Sequence, residues 1–294
     1  MVEHEVRIGA RFPNAGDHHG QRSLADAARH LEAAGFDSLW ASDHVGMPAT
    51  SRHPYPFSDD GRIPWERDLA WTEPLTALAI AAAATERIEL GTAIMVAALR
   101  HPLVAAKQIA GVALESRGRV AVGIGAGWLA EEFDAVGVPF EQRGRYLDAW
   151  IDRVRHCLDG TYPVAGDDTC YPNPSELWIR PSPPRQVPIL IGGMGPRAIR
   201  RAALGGDGWI AVLHAPSMEV ETLRPGIDQL RHLAAEAGRP RPRVVVQVLG
   251  SAGAAEMVGR HLPALARLGV DDIIIDVGFG EDDPPQAALA ALRT

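Results

Sequence analysis

One junction occurs three times in this chain, and it restricts the fold more than any other feature. AAGFDSLWASD from Ala33, ALGGDGWIAV from Ala203 and RLGVDDIIID from Arg267 each end a helical pattern on a glycine, follow it with an aspartate, and continue as an apolar run. Glycine at a helix end accepts the left-handed turn that stops the helix, and the apolar run after the aspartate reads as a strand. A repeated helix-to-strand junction implies alternating α and β elements. RIGA from Arg7, RIELGTAIM from Arg87, GRVAVGIG from Gly118, VPILIGG from Val187 and RVVVQVLG from Arg243 supply further strands. With the three junction strands they number eight, as in an α/β (β/α)8 TIM barrel spanning the whole chain as a single domain. A doubly wound sheet is the alternative, because closure is not written in a sequence.

Ser23 suits the N-cap of a helix carrying Leu24, Ala27, Ala28 and Leu31 on one face. Pro102 opens another, with Val104, Ile109 and Val112 read as its inner face. Leu147, Trp150, Ile151, Val154 and Leu158 form the stripe of a third. Pro263 starts a short helix after Met257. Two stretches interrupt the alternation. His44 to Thr72, after strand two, is rich in proline and aromatic residues and has the length of a lid. Asp159 to Gln186, before strand five, is a proline-rich insertion with one hairpin around Glu176–Ile179.

Composition removes several classes of function. A net charge of -8 disfavours a nucleic-acid binder, which needs clustered positive charge. No apolar run reaches the ~20 residues of a membrane helix, and MVEHEVRIGARF lacks the plan of a signal peptide. Cys157 and Cys170 are the only cysteines, which fits a reduced cytoplasm rather than a disulfide framework. No histidine and carboxylate set has metal-ligand spacing, and G-x-S-x-G is absent.

The candidate site follows from the barrel, whose active sites lie at the C-terminal ends of the strands. Gly118–Phe140, GRVAVGIGAGWLAEEFDAVGVPF, passes from a strand into glycines and then an acidic helix. Gly123, Gly125 and Gly127 remove side chains where something bulky approaches. A dinucleotide fingerprint does not fit, since the spacing is G-x-G-x-G. Glycines that merely turn the chain remain an open reading. Gly192, Gly193, Met194 and Gly195, followed by Pro196 at a helix start, form an anion site, with Arg197, Arg200 and Arg201 close behind. Gly250–Gly253 is a competing anion loop. His44, beside Asp43 at the end of strand two, is the acid/base candidate; the alternative is a histidine that hydrogen-bonds the loop. Glu131 and Glu132 are either ligand contacts or solvated first-turn acids, and Trp128 either walls a flat ligand or packs.

GFDSLWASDH, TERIELGTAI with the following RHP, GRVAVGIGAGWLAEEF with GVPFEQRGRYLDAW, and VPILIGGMGPRAIRRAALGGDGWIA stand in order along most of the chain. Together they resemble the bacterial luciferase-like superfamily of flavin- and deazaflavin-dependent oxidoreductases. The resemblance implies a barrel binding coenzyme F420, with FMN the alternative, its ring near strands two to four. It implies a non-proline cis peptide at Ala93–Ile94, with Thr92, Ala93 and Ile94 at the ring. Asp43 and the catalytic His44 are implied there too, and Gly125, Gly127, Trp128 and Glu131 join them. Gly192–Gly195 would take the cofactor phosphate. The sugar-phosphate dehydrogenases of the group carry a catalytic glutamate after the strand-four glycines, where this chain has Trp128, so neither that acid nor that substrate is transferred. F420 is favoured because GAGWLAEEF, GVPFEQRGR and DGWIA resemble the F420 subgroup. The implied activity is hydride transfer to or from a small organic substrate, with an FMN-dependent monooxygenase as the alternative. Dimerisation is common in the family, so a homodimer is expected.

Overall fold

The eight strand segments do close on one another. A computed structural model describes residues 5–16, 23–58, 60–162, 170–173, 175–215, 217–279 and 284–293. In chain order the strands are β1 (Arg7–Arg11), β2 (Ser38–Ala41), β3 (Glu89–Val96), β4 (Val120–Gly125), β5 (Ile189–Gly192), β6 (Gly208–His214), β7 (Arg243–Leu249) and β8 (Asp272–Ile275). Each is parallel to the next, and β8 pairs with β1, Arg7 opposite Asp272. Around them run α1 (Leu24–Ala34), α2 (Pro74–Ala84), α3 (Pro102–Glu115), α4 (Ala130–Ala135), α5 (Arg143–Leu158), α6 (Pro196–Leu204), α7 (Arg224–Glu236), α8 (Ala255–Gly259), α9 (Leu262–Leu268) and α10 (Pro285–Leu292).

The repeated aspartate has a mechanical role. Asp37, which precedes β2, donates its N–H to the carbonyl of Ile8 on β1 at 2.9 Å, and its carboxylate accepts the N–H of the same Ile8 at 2.8 Å. Asp207 holds Ile189 in the same two ways at 2.7 and 2.8 Å. Asp271 does so with Val244, at 2.8 and 2.7 Å. Each clamp fixes where a strand begins relative to its predecessor, which in a parallel ladder fixes every later pairing. The glycines of the three junctions differ. Gly35 and Gly269 cap their helices at φ of 95° and 74°, whereas Gly205 is right-handed at φ −119°. At that third junction the constraint is space, since a Cβ on Gly206 would lie 2.8 Å from Ile191 and 3.1 Å from the Ala202 carbonyl.

Strand residues alternate between two cores. Leu39, Leu90, Val122, Ile191 and Val246 pack outward against the helices, while Trp40, Ala93, Ala121, Leu190, Ile210, Val245 and Ile274 pack together as a separate cluster inside the barrel. Trp40 fits because its neighbours are glycines. A Cβ at Gly91 would come 2.2 Å from its ring, and one at Gly9 2.7 Å from its indole nitrogen. Below it, Arg243 forks onto Asp272 at 2.7 and 2.8 Å and reaches Glu89 at 2.7 Å, while Arg7 bridges both acids. Burial works against the Arg243 charge, yet the two carboxylates hold its pKa above the ordinary value. All four residues are the first of their strands, so the N-terminal mouth is closed by an ionic plug and the C-terminal mouth is the open one.

Most helix expectations hold. The Ser23 hydroxyl accepts the Asp26 N–H, Pro263 lies in the first turn of α9, and Leu147, Trp150, Ile151 and Val154 are buried along α5. Val104 is a correction: it is 56% exposed. The inner face of α3 is instead Ala105, Ala106, Ile109, Val112 and Ala113, small residues that let the helix lie close to its neighbours. In the insertion before β5, Thr161–Tyr162 pairs antiparallel with Leu177–Trp178; residues 163–169 and 174 lie outside the described residues. Among the described residues no helix is long and apolar enough to cross a membrane.

Replacing Asp207 by alanine removes the carboxylate that satisfies the Ile189 N–H. The expected loss is about 1–3 kcal/mol, the usual cost of orphaning a buried donor, measured as a lower urea midpoint. Asp207→Asn keeps an acceptor and should lose less.

Candidate functional site

The open mouth holds a cavity of about 490 Å³, bounded by the ends of β2 to β7 and by the segment between β2 and α2. Its floor depends on an irregularity in β3. Pairing with β4 runs Leu90–Val120 to Thr92–Val122 and resumes at Met95–Ile124, so β3 carries one residue more than its partner. The Ala93–Ile94 peptide within this bulge is cis. Thr92 is buried and its hydroxyl donates to the Gly123 carbonyl at 2.6 Å, which pins the strand just before the bulge.

Ile94 is what the glycines make room for. A Cβ at Gly125 would lie 2.2 Å from the Ile94 Cδ1, and one at Gly192 2.7 Å from its Cγ2. The side chain therefore lies over the bare ends of β4 and β5, and with Ala93 it forms part of the cavity wall. Gly127 has a different reason: φ is +79°, and Val96 and Phe133 crowd the place of a Cβ.

Behind this wall Asp43 ties β2 to β3. Its carboxylate accepts the Val96 N–H at 2.8 Å and both ends of the Arg100 guanidinium at 2.7 and 2.8 Å. Burial pushes the Asp43 carboxyl up, with the guanidinium and the Val96 N–H pulling against it. Arg100 in turn reaches Glu73 at 3.1 Å. Both Asp43 oxygens are thus engaged, and the residue braces the rim on which His44 stands.

The His44 Nδ1 lies 3.2 and 3.3 Å from the two oxygens of Glu132, and both side chains are nearly buried. Glu132 also accepts the N–H groups of Val45 at 2.6 Å and Gly46 at 3.2 Å. Its oxygens act as acceptors, so Nδ1 is the donor and Nε2 is the ring nitrogen left for a ligand. Around the imidazole stand Trp71 at 4.9 Å, Trp65 at 5.6 Å and Trp128 at 6.0 Å between ring centroids, with Tyr55 against Trp65 and Trp128. The lid segment has folded its aromatic residues over the acid/base candidate.

At the far end, Gly193 (φ +120°) and Gly195 lead into α6, which starts without a side-chain cap. Pro196 has no N–H and the Ala198 N–H turns back to the Gly195 carbonyl at 2.9 Å, so the Arg197 N–H is the first-turn donor left for an anion. The Trp209 indole donates to the Gly193 carbonyl at 2.7 Å and holds the loop. Arg143, Arg197 and Arg201 line the same end. Arg201 is fixed by Asp148 at 2.5 Å, and Arg197 is exposed. The competing loop Gly250–Gly253 closes on itself: the Ser251 N–H goes to Asp276 and its hydroxyl accepts the Asp276 N–H.

Of the residues singled out from the sequence, His44, Asp43, Ala93, Ile94, Gly125, Gly127, Trp128, Gly192, Gly193 and Gly195 line this one cavity. Three do not. Thr92 is buried behind the wall. Met194 is partly exposed and its sulfur accepts the Val212 N–H at 3.2 Å. Glu131 turns to the surface, where it accepts the backbone and side-chain N–H of Arg52 at 2.7 and 3.2 Å. Its neighbour Glu132 is the acid that reaches His44; the α4 helix turns adjacent residues about 100° apart, so only one of the two can face inward. Arg100 and Arg143 stand within the stretches RHP and GVPFEQRGR, but neither has a role of its own legible there, since the chain uses arginine almost throughout, with Lys107 its single lysine. Among the described residues no group of His, Cys, Asp or Glu is placed to hold a metal.

Residues 7–270 match the family of luciferase-like monooxygenases. The chain belongs to the luciferase-like family. An F420-dependent glucose-6-phosphate dehydrogenase of Beutenbergia cavernae is 34% identical over 236 residues, which cover 76% of this chain and 61% of that one. An F420-dependent secondary alcohol dehydrogenase, solved with an F420–acetone adduct, superposes with a TM-score of 0.71 at 20% identity, over 99% of this chain and 100% of that one. The oxygenating constituent of 3,6-diketocamphane monooxygenase of Pseudomonas putida, solved with FMN, gives 0.59 at 16% identity, over 83% and 66%. This luciferase-like chain is accordingly an oxidoreductase. Its cavity fits a group such as those two structures hold: an apolar wall at Ala93 and Ile94 suits a flat ring, and the start of α6 with its arginines suits a phosphate.

Arg100→Met leaves the Asp43 carboxylate buried without its partner. The expected loss of stability is about 3–5 kcal/mol, read from denaturant midpoints, and it should exceed that of an exposed pair such as Arg260→Met.

Proposed function

We propose that this protein is an F420-dependent oxidoreductase that moves a hydride between the deazaflavin and a small organic substrate. The observation that carries the reading is the shape of the mouth: an apolar, glycine-flanked wall at one end, an anion-binding helix start at the other, and a single histidine with one ring nitrogen committed to an acid. Bound deazaflavin supplies the hydride-exchanging carbon. The protein does the rest. Ala93 and Ile94 press on one side of the space, and Gly193, Gly195, Arg143 and Arg197 anchor the charged end. Glu132 keeps the proton on His44 Nδ1, which leaves Nε2 to give or take a proton at the substrate oxygen. Tyr55, Trp65, Trp71 and Trp128 exclude water from that exchange. Identity to F420-dependent relatives supports F420 over FMN. The sugar phosphate of those relatives is not carried over, because Trp128 stands where the resemblance expects the glutamate.

The second reading, an FMN monooxygenase, has the FMN-bound likeness behind it. Fluorescence titration with F420 and with FMN separates them. F420 is expected to bind at least about tenfold more tightly, a difference of about 1.4 kcal/mol. Tighter FMN binding, together with oxygen uptake by the reduced holoprotein, would favour the monooxygenase. His44→Ala should leave F420 affinity within about twofold and lower turnover of any alcohol the enzyme accepts by about 10²–10⁴, the range for general acid–base catalysis. An unchanged rate removes His44 from the mechanism.

A further inference from the structure

The main cavity is of a size that holds one cofactor-sized molecule, within the range of about 300–1,000 Å³ for such sites. A cofactor in it leaves the substrate to find other space. A second cavity of about 280 Å³ adjoins it on the side of β1 and β8. The two share Arg11, Ser42, Trp65 and Trp71, so the same indoles that flank His44 also form the partition between the chambers. Beyond the partition the lining is Phe12, Pro13, Leu69, Val277 and Phe279, with Arg11 and Asp276 as its charged pair.

We propose that this second chamber holds the body of the substrate, an apolar ketone or secondary alcohol of aromatic or alicyclic form, and that Arg11, which lines both cavities, receives its oxygen on the main-cavity side of the partition, where His44 stands. The inference rests on the cofactor reading above. Three observations carry it. The lining is apolar apart from Ser42 and one ion pair, so the body of the ligand gains by leaving water. Arg11 meets Asp276 through a single nitrogen at 3.2 Å, so its remaining donors are open to an acceptor. The net charge of the pair is zero, which favours a neutral oxygen over a carboxylate. The partition also has the means to admit a ligand. The indole N–H groups of Trp65 and Trp71 are buried without a hydrogen-bond partner among the described residues. Their rings meet at 5.8 Å between centroids, so ring packing alone holds them, and turning them aside breaks no hydrogen bond.

The test uses acetophenone and ethylbenzene, which share a shape and differ by the carbonyl oxygen, with binding followed by ligand-observed NMR on the full-length protein and F420 affinity measured separately by fluorescence. The native protein should bind acetophenone about tenfold more tightly than ethylbenzene, the worth of one good hydrogen bond. Arg11→Met should abolish that preference. Leu69→Trp, which fills the chamber, should weaken acetophenone at least about tenfold and leave F420 affinity within about twofold. Retained F420 binding certifies the fold of each variant. Acetophenone that does not bind, that binds Leu69→Trp as well as the native chain, or that is preferred as strongly by Arg11→Met overturns the assignment. Acetophenone bound in this pattern by a protein that does not bind F420 would overturn the cofactor reading and leave the chamber a binding site.

Discussion

Three aspartates that grip the first or second residue of the preceding strand at both its N–H and its carbonyl set the registration of this barrel. In a parallel ladder the starting point of each strand determines which residue arrives at the far rim. Asp37, Asp207 and Asp271 therefore act on the open mouth from the opposite end of the molecule. A slip of one residue at any of them would exchange the inward and outward side chains of a whole strand. The ionic plug of Arg7, Glu89, Arg243 and Asp272 joins the first residues of β1, β3, β7 and β8 in one network, and Trp40 fills the barrel above it.

Given that registration, the rim is assembled by neighbours correcting one another. β3 runs one residue long against β4, and the surplus places Ile94 over Gly125 and Gly192. Asp43 catches the far side of the same bulge at Val96 and draws Arg100 in behind it. His44 follows Asp43 directly, so the residue that braces the wall also fixes the origin of the acid/base candidate. Glu132, from the first turn of α4, then sets the tautomer by direct contact. Stability and chemistry share these residues: the buried carboxylates that organise the mouth would be costly alone and are held by an arginine fork, by backbone N–H groups, or by the imidazole.

The lid contributes aromatic surface rather than charge. Tyr55, Trp65 and Trp71 come from a segment without helix or regular strand among its described residues, anchored by the Ala15–Trp71 bridge, by Asn14 to the Thr72 and Ser42 carbonyls, and by Arg52 to Glu131 and Asp134. These contacts bring Trp65 and Trp71 against the imidazole beside Trp128, with Tyr55 packed on Trp65 and Trp128, and divide the mouth into two chambers. The anion end proposed for the cofactor, at β5, and the apolar chamber proposed for the substrate, at β1 and β8, thus lie on opposite sides of the barrel mouth.

The order of elements was legible in the chain because it rests on local patterns. Glycine, aspartate and an apolar run mark each of the three junctions, and prolines mark the starts of α2, α3, α6 and α9. The crowding of glycines at the strand ends was equally plain, as were His44 and the helix start at Pro196. What the pattern did not contain was the tenant of those glycines, which is Ile94 from a neighbouring strand and not a ligand directly. Nor did it tell Glu131 from Glu132: two adjacent acids are equivalent in a sequence, and only the rotation of α4 against His44 separates them. Val104 was misread for the same reason, since an apolar residue on a helix declares its chemistry but not its azimuth. Local backbone preferences are properties of a segment, whereas facing, closure and cavity walls arise between segments far apart in the chain. Those had to wait for the eight strands to meet.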